Sequence, residues 1–557
     1  MTAIKAIVVA FAITCSVASA FNNVINIIST SPSPNTQEYV TTLHATPVKS
    51  ASKSPSAQSG KKKTTKKKVK PTSRSVAIAA LTNAALSTPQ TDQASVSFAT
   101  RFLEQDSYFK LLEPRDRAFA RLIVATCQRR LGQIDGVLAC CIDKSPTGKN
   151  KHLIKSTLRV GAAQLLFLKK PTFAVVKETV ECLRIHHKLS FSSKSLHVPE
   201  PQIKFVNGVL RKLSRIADDT DEIIYALKLL KENTTPRDNI APWLIEQWEK
   251  DWGVETTNLI CDEIMPHDER SITHYIDLTT KYSIPMLTGI GDEKDDMNSL
   301  VEKLGEDSIM LSQGSIRVGV NGDVRGWAEY DKGTWWVQDS AATIPGIVLT
   351  KALYDRHSCD ISNLRVVDMC SAPGGKAAQL LSAGYQHVTA IEASAKRSNR
   401  LKTNLERLKF DADKYDIVVK EGQDWSPGVD KIDGILVDVP CSSTGTGSRR
   451  PDVLRRESDI SELLDIQEVL AAHCAEILPK GGVMVYATCS LLKEESEDQV
   501  KKLIERGLVE TLPIQADEIP GFEGAIDENG WVRVIPGVLD SEMKSADGFF
   551  AARLVKK

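Results

Sequence analysis

Three observations predict a multidomain chain: an all-α domain, then a small α+β module, then an α/β domain on an open, mostly parallel sheet. The 557 residues exceed the roughly 250 to 300 at which a single hydrophobic core stops growing. Apolar residues recur at helical spacing from about Ser75 to Glu232, and from Leu364 onward strand-length apolar runs alternate with helical stretches, the pattern of a sheet covered on both faces. Hydrophobic residues at 42% and charged residues at 25% are the proportions of a globular protein rather than a disordered one.

Residues 1–20 read as a signal peptide. Lys5 precedes the apolar run from Ala6 to Thr14, and Ala18-Ser19-Ala20 fits a small-residue cleavage site before Phe21. The run is too short to span a bilayer comfortably. Residues 21–75 follow as a targeting and linker segment, rich in Ser, Thr, Pro and Lys from Ser29 to Arg74 and acid-poor apart from Glu38, so they cannot build a core. This arrangement is similar to the bipartite plastid presequence of algae with secondary plastids. The basic run Lys61–Lys70 is then presequence charge, with a nuclear or nucleic-acid signal as its alternative.

Residues 76–235 are expected to be helical. From Arg115 to Arg130, Phe119, Leu122, Ile123 and Thr126 fall on one face and arginines on others, and the stretches at Leu158 and Phe205 repeat the pattern. Arg115, Arg117, Arg129, Arg130, Arg211 and Lys212 are candidate phosphate contacts, or else a solvated helix face. His186 and His187 are adjacent, point in different directions on a helix, and are expected on the surface rather than as joint metal ligands. Cys140 and Cys141 are expected to pack as helix residues, and Ser190–Pro201 to loop out. In residues 236–345 an amphipathic helix from Ala241 to Trp252 carries Trp243, Leu244 and Trp248 as a packing stripe, or as a platform for bases. Short strands are expected at Ser271–Leu278, Ser315–Val320 and Gly333–Asp339.

Residues 346–557 hold the chemistry. The run Leu364–Lys376, LRVVDMCSAPGGK, reads as a strand, a tight turn through Gly374 and Gly375, and a helix start. Glycine there lets a ligand approach the backbone, and the N–H groups of the helix start face it. Glu392 ends the next apolar run, where an acid commonly holds ribose hydroxyls. The loop is not a G-x-G-x-x-G fingerprint, so a plain turn stays open on these residues alone. Two further apolar runs end in cysteine, Asp433–Cys441 and Gly482–Cys489, where an α/β sheet places its chemistry. The 11 cysteines include no C-x-x-C pair, which excludes the common zinc knuckles and leaves no metal expected, and useful strand-end thiols fit a reducing compartment. Lys plus Arg equals Asp plus Glu at 71 each, so any polyanion partner must be met by local patches.

DMCSAPGGK, DVPCSSTGTGSRRPD and YATCSLLKEESEDQV, in this order, resemble motifs of the Sun-type (Fmu) RNA cytosine-5 methyltransferases. The helical segments in front resemble the NusB-type RNA-binding domain fused to bacterial small-subunit rRNA cytosine methyltransferase B. The resemblance implies a Rossmann-like catalytic domain that binds S-adenosyl-L-methionine through Asp368, Cys370, Ser371, Ala372, Pro373, Gly374, Gly375 and Lys376, with Glu392 at the ribose, Asp424 at the adenine edge and Asp438 also near. It implies Cys489 as the nucleophile that adds to carbon 6 of cytosine, Cys441 as the residue assisting product release, and Asp438 as a contact to the base. Arg449, Arg450 and Arg455, in or beside the basic loop Thr444–Asp452, become candidate phosphate contacts as the target base leaves its stack. The implied partner is rRNA of the small subunit, with the chain a monomer without stable membrane association, in the plastid. A tRNA substrate and a catalytically vestigial ribosome-assembly factor are the alternatives.

Overall fold

The computed structural model describes residues 70–87, 96–168, 170–185, 198–217, 230–266, 275–283, 294–319, 323–358, 360–428, 431–456 and 460–557. The signal peptide, nearly all of the linker, His186, His187 and most of the Ser190–Pro201 loop lie outside them.

The N-terminal domain is all-α, as expected. Its helices Ser73–Ser87, Pro114–Arg129, Leu131–Cys141, Lys151–Leu166, Thr172–Ile185 and Glu200–Ala217 enclose one core. The first of them buries Val76, Ala77, Ile78, Ala80, Leu81 and Ala84 around its circumference, so it runs through the domain rather than over it. Gly161 permits a close helix crossing, because a Cβ there would lie 2.6 Å from the Leu210 side chain. Cys141 is buried and Cys140 exposed, ordinary positions on a packed helix.

Two of the expected phosphate contacts in this domain are corrected. Arg129 and Arg130 are buried, Arg129 donating to the Ser448 carbonyl and Arg130 to the Pro266 carbonyl at 2.5 Å. Their helix ends against the catalytic domain, so these guanidinium groups bind main chain across an interface. Arg115, Arg211 and Lys212 are exposed.

The middle of the chain divides in two. An antiparallel sheet in the order β2-β3-β1-β4 is formed by β1 (Tyr275–Thr280), β2 (Ser308–Met310), β3 (Ile316–Gly319) and β4 (Trp335–Val337), with the Lys294–Leu304 helix against it over Leu278, Met297, Ile316 and Trp335. The Pro242–Ile264 helix, bent at Gly253 where φ is 80°, packs elsewhere: Leu244, Ile245, Trp248 and Ile260 meet Val453, Leu454, Leu491 and Leu492 of the catalytic domain. Trp248 is fully buried, as a packing stripe requires.

The C-terminal sheet runs β10-β12-β9-β8-β5-β6-β7. Strands β5 (Arg365–Met369), β6 (His387–Ile391), β7 (Tyr415–Val418), β8 (Gly434–Asp438) and β9 (Val483–Thr488) are parallel. Strand β12 (Phe549–Lys556) pairs antiparallel with β9, with β10 (Val509–Thr511) and, off the main path, with β11 (Val532–Val534). Three residues each make β10 and β11 too short for the sequence to announce. One face packs Leu349, Leu353, Ala378 and Leu401, the other Leu470, Cys474, Val500 and Leu503, giving the helix-covered sheet that the alternation predicted. From β5 the chain steps outward through β6 and β7, then returns to β8 and β9 on the other side. That reversal opens a crevice at the carboxyl ends of β5 and β8, where such sheets bind ligands.

Candidate active site

Strand β5 delivers the cofactor loop. After Met369 the chain takes a left-handed step at Cys370 (φ 61°), passes a cis Ala372–Pro373 bond, and turns through Gly374 (φ 104°) into the Gly375–Ala383 helix. Only glycine accepts that φ readily, and a Cβ at Gly374 would lie 2.6 Å from Leu401 Cδ1. Asp368 is 1% exposed. Its Oδ2 accepts from Ser371 Oγ at 2.6 Å, its Oδ1 has no hydrogen-bond partner, and burial raises its carboxyl to about 7.

Glu392, just past β6 and 2% exposed, repeats the arrangement. Its Oε1 accepts from the Ser394 N–H at 2.9 Å, while Oε2 lies 3.5 Å from Arg397 without a hydrogen bond. Buried acceptors are normally satisfied, so two acids on neighbouring strands, each with one oxygen lacking a hydrogen-bond donor beside a helix N-terminus, mark a site for a ligand with amine and hydroxyl donors. The residues thus fit the amino and ribose groups of the implied cofactor. Asp424 closes a short turn after β7 and is exposed.

Strands β8 and β9 bring the two thiols together, with Cys441 Sγ 3.6 Å from Cys489 Sγ. Beside them Lys376 Nζ donates to Asp438 Oδ2 at 2.7 Å and lies over the Phe549 ring at 5.5 Å. The hydrogen bond from Cys441 holds the Cys489 thiol below its ordinary range, helped by Ser443 and the Lys376 charge and opposed by burial and Asp438. Cys441, half-buried, is pushed well above that range, first by its hydrogen bond with Cys489 and then by its withdrawal from solvent. The pair is therefore polarised, with Cys489 the more acidic thiol and Cys441 the one that holds its proton more tightly. Burial pushes Cys370 up to about 12 and Cys474 higher still, so neither competes as a nucleophile.

The loop after Cys441 departs from the sequence reading. Arg455 is 3% exposed, near Asp135 and Arg159 of the helical domain, so it is corrected from phosphate contact to buried interface residue. Arg449 is already engaged, ion-paired with Asp547 and 3.8 Å from Asp339. Arg450 is half-buried and lies 3.9 Å from Asp452. Sequence reasoning missed Glu495, which is 0% exposed. It accepts from the Ser442 N–H at 2.9 Å, from Gln467 Nε2 at 3.1 Å and from Ser442 Oγ, fixing the residue next to Cys441. In the run Lys493–Glu497 it looks like one more solvated acid.

A doubly wound sheet with a donor-hungry cradle next to a pair of thiols defines the class: an α/β protein with a ligand crevice at the carboxyl ends of its parallel strands. The profile of the 16S rRNA methyltransferase RsmB/F family matches residues 361–555, and that of the NusB family residues 71–215. Ribosomal RNA small subunit methyltransferase B of Shewanella oneidensis is 30% identical over 474 residues, 83% of this chain and 96% of that protein. The Erwinia tasmaniensis protein of the same name is 28% identical over 462 residues, 80% of this chain and 92% of that one. The chain belongs to the 16S rRNA methyltransferase RsmB/F family. The crystal structure of PH0851 shares the fold, with a TM-score of 0.58 at 21% identity over 88% of this chain and 100% of that one.

Proposed function

We propose that this protein methylates carbon 5 of a cytosine in small-subunit rRNA, through a covalent bond between Cys489 and the base. The observation that carries the reading is the polarised thiol pair beside Lys376 and Asp438. Carbon 5 of cytosine is a poor nucleophile on its own. When the Cys489 thiolate adds to carbon 6, the electron pair of the 5,6 double bond becomes available at carbon 5, and Asp438 can accept from the amino edge of the ring. Asp368, Glu392 and the Gly374–Gly375 turn would hold S-adenosylmethionine, which would supply the methyl group to carbon 5 and be left as the neutral thioether. Loss of the carbon 5 proton to solvent then re-forms the 5,6 double bond, and the carbon–sulfur bond breaks with its electron pair to restore the thiolate. Cys441, at 3.6 Å from Cys489, is placed to assist that release.

Substituting each cysteine in turn tests the assignment. Cys441→Ala should still transfer the methyl group and then stall with labelled RNA attached on a denaturing gel, whereas Cys489→Ala and the double variant should trap nothing. Trapping by Cys489→Ala instead would exchange the two roles, and trapping by neither would reduce both to packing residues.

Residues 1–20 and 21–75 support delivery to a plastid, which a fluorescent fusion of residues 1–75 tests; arrival in the medium or the nucleus would end that reading. Among the described residues no helix is long and apolar enough to cross a membrane, and no cluster of side chains suits a metal ion. The chain is read as acting as a monomer, which sedimentation would check.

A further inference from the structure

We propose that Arg449 is a positioning residue: clamped between Asp547 and Asp339, it holds the Thr444–Ser448 loop against the main chain of Cys489 and so sets where that thiol points. The inference rests on the cysteine chemistry proposed above and adds to it the device that aims the nucleophile.

The loop touches the nucleophile through backbone. Gly445 N–H donates to the Cys489 carbonyl at 2.9 Å, Leu491 N–H donates to Thr444 Oγ1 at 2.9 Å, and Gly548 N–H donates to the Gly445 carbonyl at 2.9 Å. There is no slack between these segments. A Cβ on Gly445 would lie 2.2 Å from the Gly548 carbonyl oxygen and 2.7 Å from that of Cys489. Cys489 itself follows the last residue of β9, so nothing in the sheet ladder fixes its carbonyl. The Gly445 contact does.

The far end of the loop is tied by charge. Arg449 pairs with Asp547, Ser448 Oγ donates to Asp547 Oδ1 at 3.2 Å, and the Asp547 N–H donates to Asp339 Oδ1 at 3.1 Å. Asp339 and Asp547 are 8% and 3% exposed, so they are anchors rather than solvated acids. Asp339 precedes Ser340, whose N–H donates to Asp277 Oδ2 at 3.2 Å, and Asp277 is held by both arms of Arg317 at 2.8 and 2.9 Å. The four-stranded sheet, the segment after β4, the residues before β12 and the active-site loop thus meet at one charged knot. Asp547 is the direct neighbour of Gly548, so movement of one end is delivered to the Gly445–Cys489 contact. Were Arg449 to turn toward an RNA phosphate, it would leave the buried Asp547 carboxylate without its cation. The geometry therefore favours the clamp over the phosphate contact that the sequence suggested.

The test uses the full-length protein and an in vitro transcript of small-subunit rRNA, with wild type as the control that the transcript is methylated at all. Failure of that control removes the proposed function, whereas losses confined to variants address the clamp. For Arg449→Ala, the single-turnover rate at saturating RNA should fall about 100-fold, the cost of displacing a reacting group by about an ångström. The RNA dissociation constant and its salt dependence should stay at the wild-type values. Arg449→Lys should recover much of the rate, because an ammonium can still pair with Asp547. Asp547→Asn should match Arg449→Ala, and the double variant should be no slower than either, as expected for two residues acting through one contact. The proposal is overturned by an unchanged saturated rate with weaker binding and a salt slope reduced by about one, the signature of a lost phosphate contact. It is also overturned by additive losses in the double variant. Should Arg449→Ala fail to fold, judged by loss of cofactor binding, the Arg449→Lys and Asp547→Asn pair decides on the same criteria.

Discussion

Removing the Glu495 side chain gives the sharpest stability test of the site. The carboxylate accepts three hydrogen bonds, but its donors are not equally dependent on it. Gln467 Nε2 also donates to the Pro440 carbonyl at 2.8 Å, and Ser442 Oγ also lies 3.1 Å from Ser490 Oγ. The Ser442 N–H, by contrast, turns to Glu495 Oε1 at 2.9 Å and loses that acceptor. A buried donor left unpaired costs about 1–3 kcal/mol. The one methylene taken from a buried position adds about 0.8 kcal/mol. Glu495→Ala should therefore destabilise the protein by about 3 kcal/mol. Glu495→Gln keeps the volume and one acceptor for Ser442, so it should cost about 1 kcal/mol, the difference between a charge-assisted and a neutral hydrogen bond. Urea unfolding of the full chain, followed by tryptophan fluorescence, orders the three proteins by midpoint. Coincident unfolding curves for wild type and Glu495→Ala would refute the reasoning, as would a Gln variant less stable than the Ala variant.

Two further outcomes follow from the same structure. Burial, and then the Asp547 charge, raise the Asp339 carboxyl from 3.8 to about 7, so between those values the folded protein holds a proton that the unfolded chain has released. Stability should consequently fall as pH rises across that window, and Asp339→Asn should flatten part of the slope in thermal midpoints; Asp368 contributes in the same sense and keeps the remainder. On the exposed helical surface, the paired substitution of Arg211→Ala and Lys212→Ala should weaken RNA binding and lower the magnitude of its log–log salt slope by about 1 to 2, with cofactor affinity untouched, as filter binding and calorimetry would show.

The sheet and its thiols were legible in the sequence because each is announced locally. Apolar runs end in Asp368, Glu392, Cys441 and Cys489, and paired glycines mark the one turn that must approach a ligand. Asp438 and Lys376 sit within those same motifs, and the structure brings them together. What stayed hidden depends on partners far along the chain. Glu495 is buried because of Ser442, 53 residues away, and Asp547 because of Arg449, 98 residues away. An acid in Lys493–Glu497 or Ser541–Gly548 has no local sign that a cation or a set of donors will meet it. The arginines misled for the same reason: helical periodicity identifies the polar side of the helix bearing Arg129 and Arg130, but not that another domain covers it. Arg455 was read from its loop, and the loop turns inward.

The Pro242–Ile264 helix sets a limit on modularity. It lies upstream of the small sheet, yet it roofs Leu454, Leu491 and Leu492 on the undersides of the two loops that flank the thiols, and its Trp243 and Trp252 indoles donate to the carbonyls of Arg456 and Leu491 at 3.1 and 2.9 Å. A catalytic piece begun at residue 346, where the sequence suggests a boundary, would bare that leucine surface and leave both carbonyls without their donors, inviting self-association. The smallest autonomous enzyme must therefore start before Pro242 and carry the intervening sheet with it. Any exchange of RNA-binding domains among relatives must splice upstream of that helix, for the catalytic unit owns a segment that the linear order of the chain assigns to its neighbour.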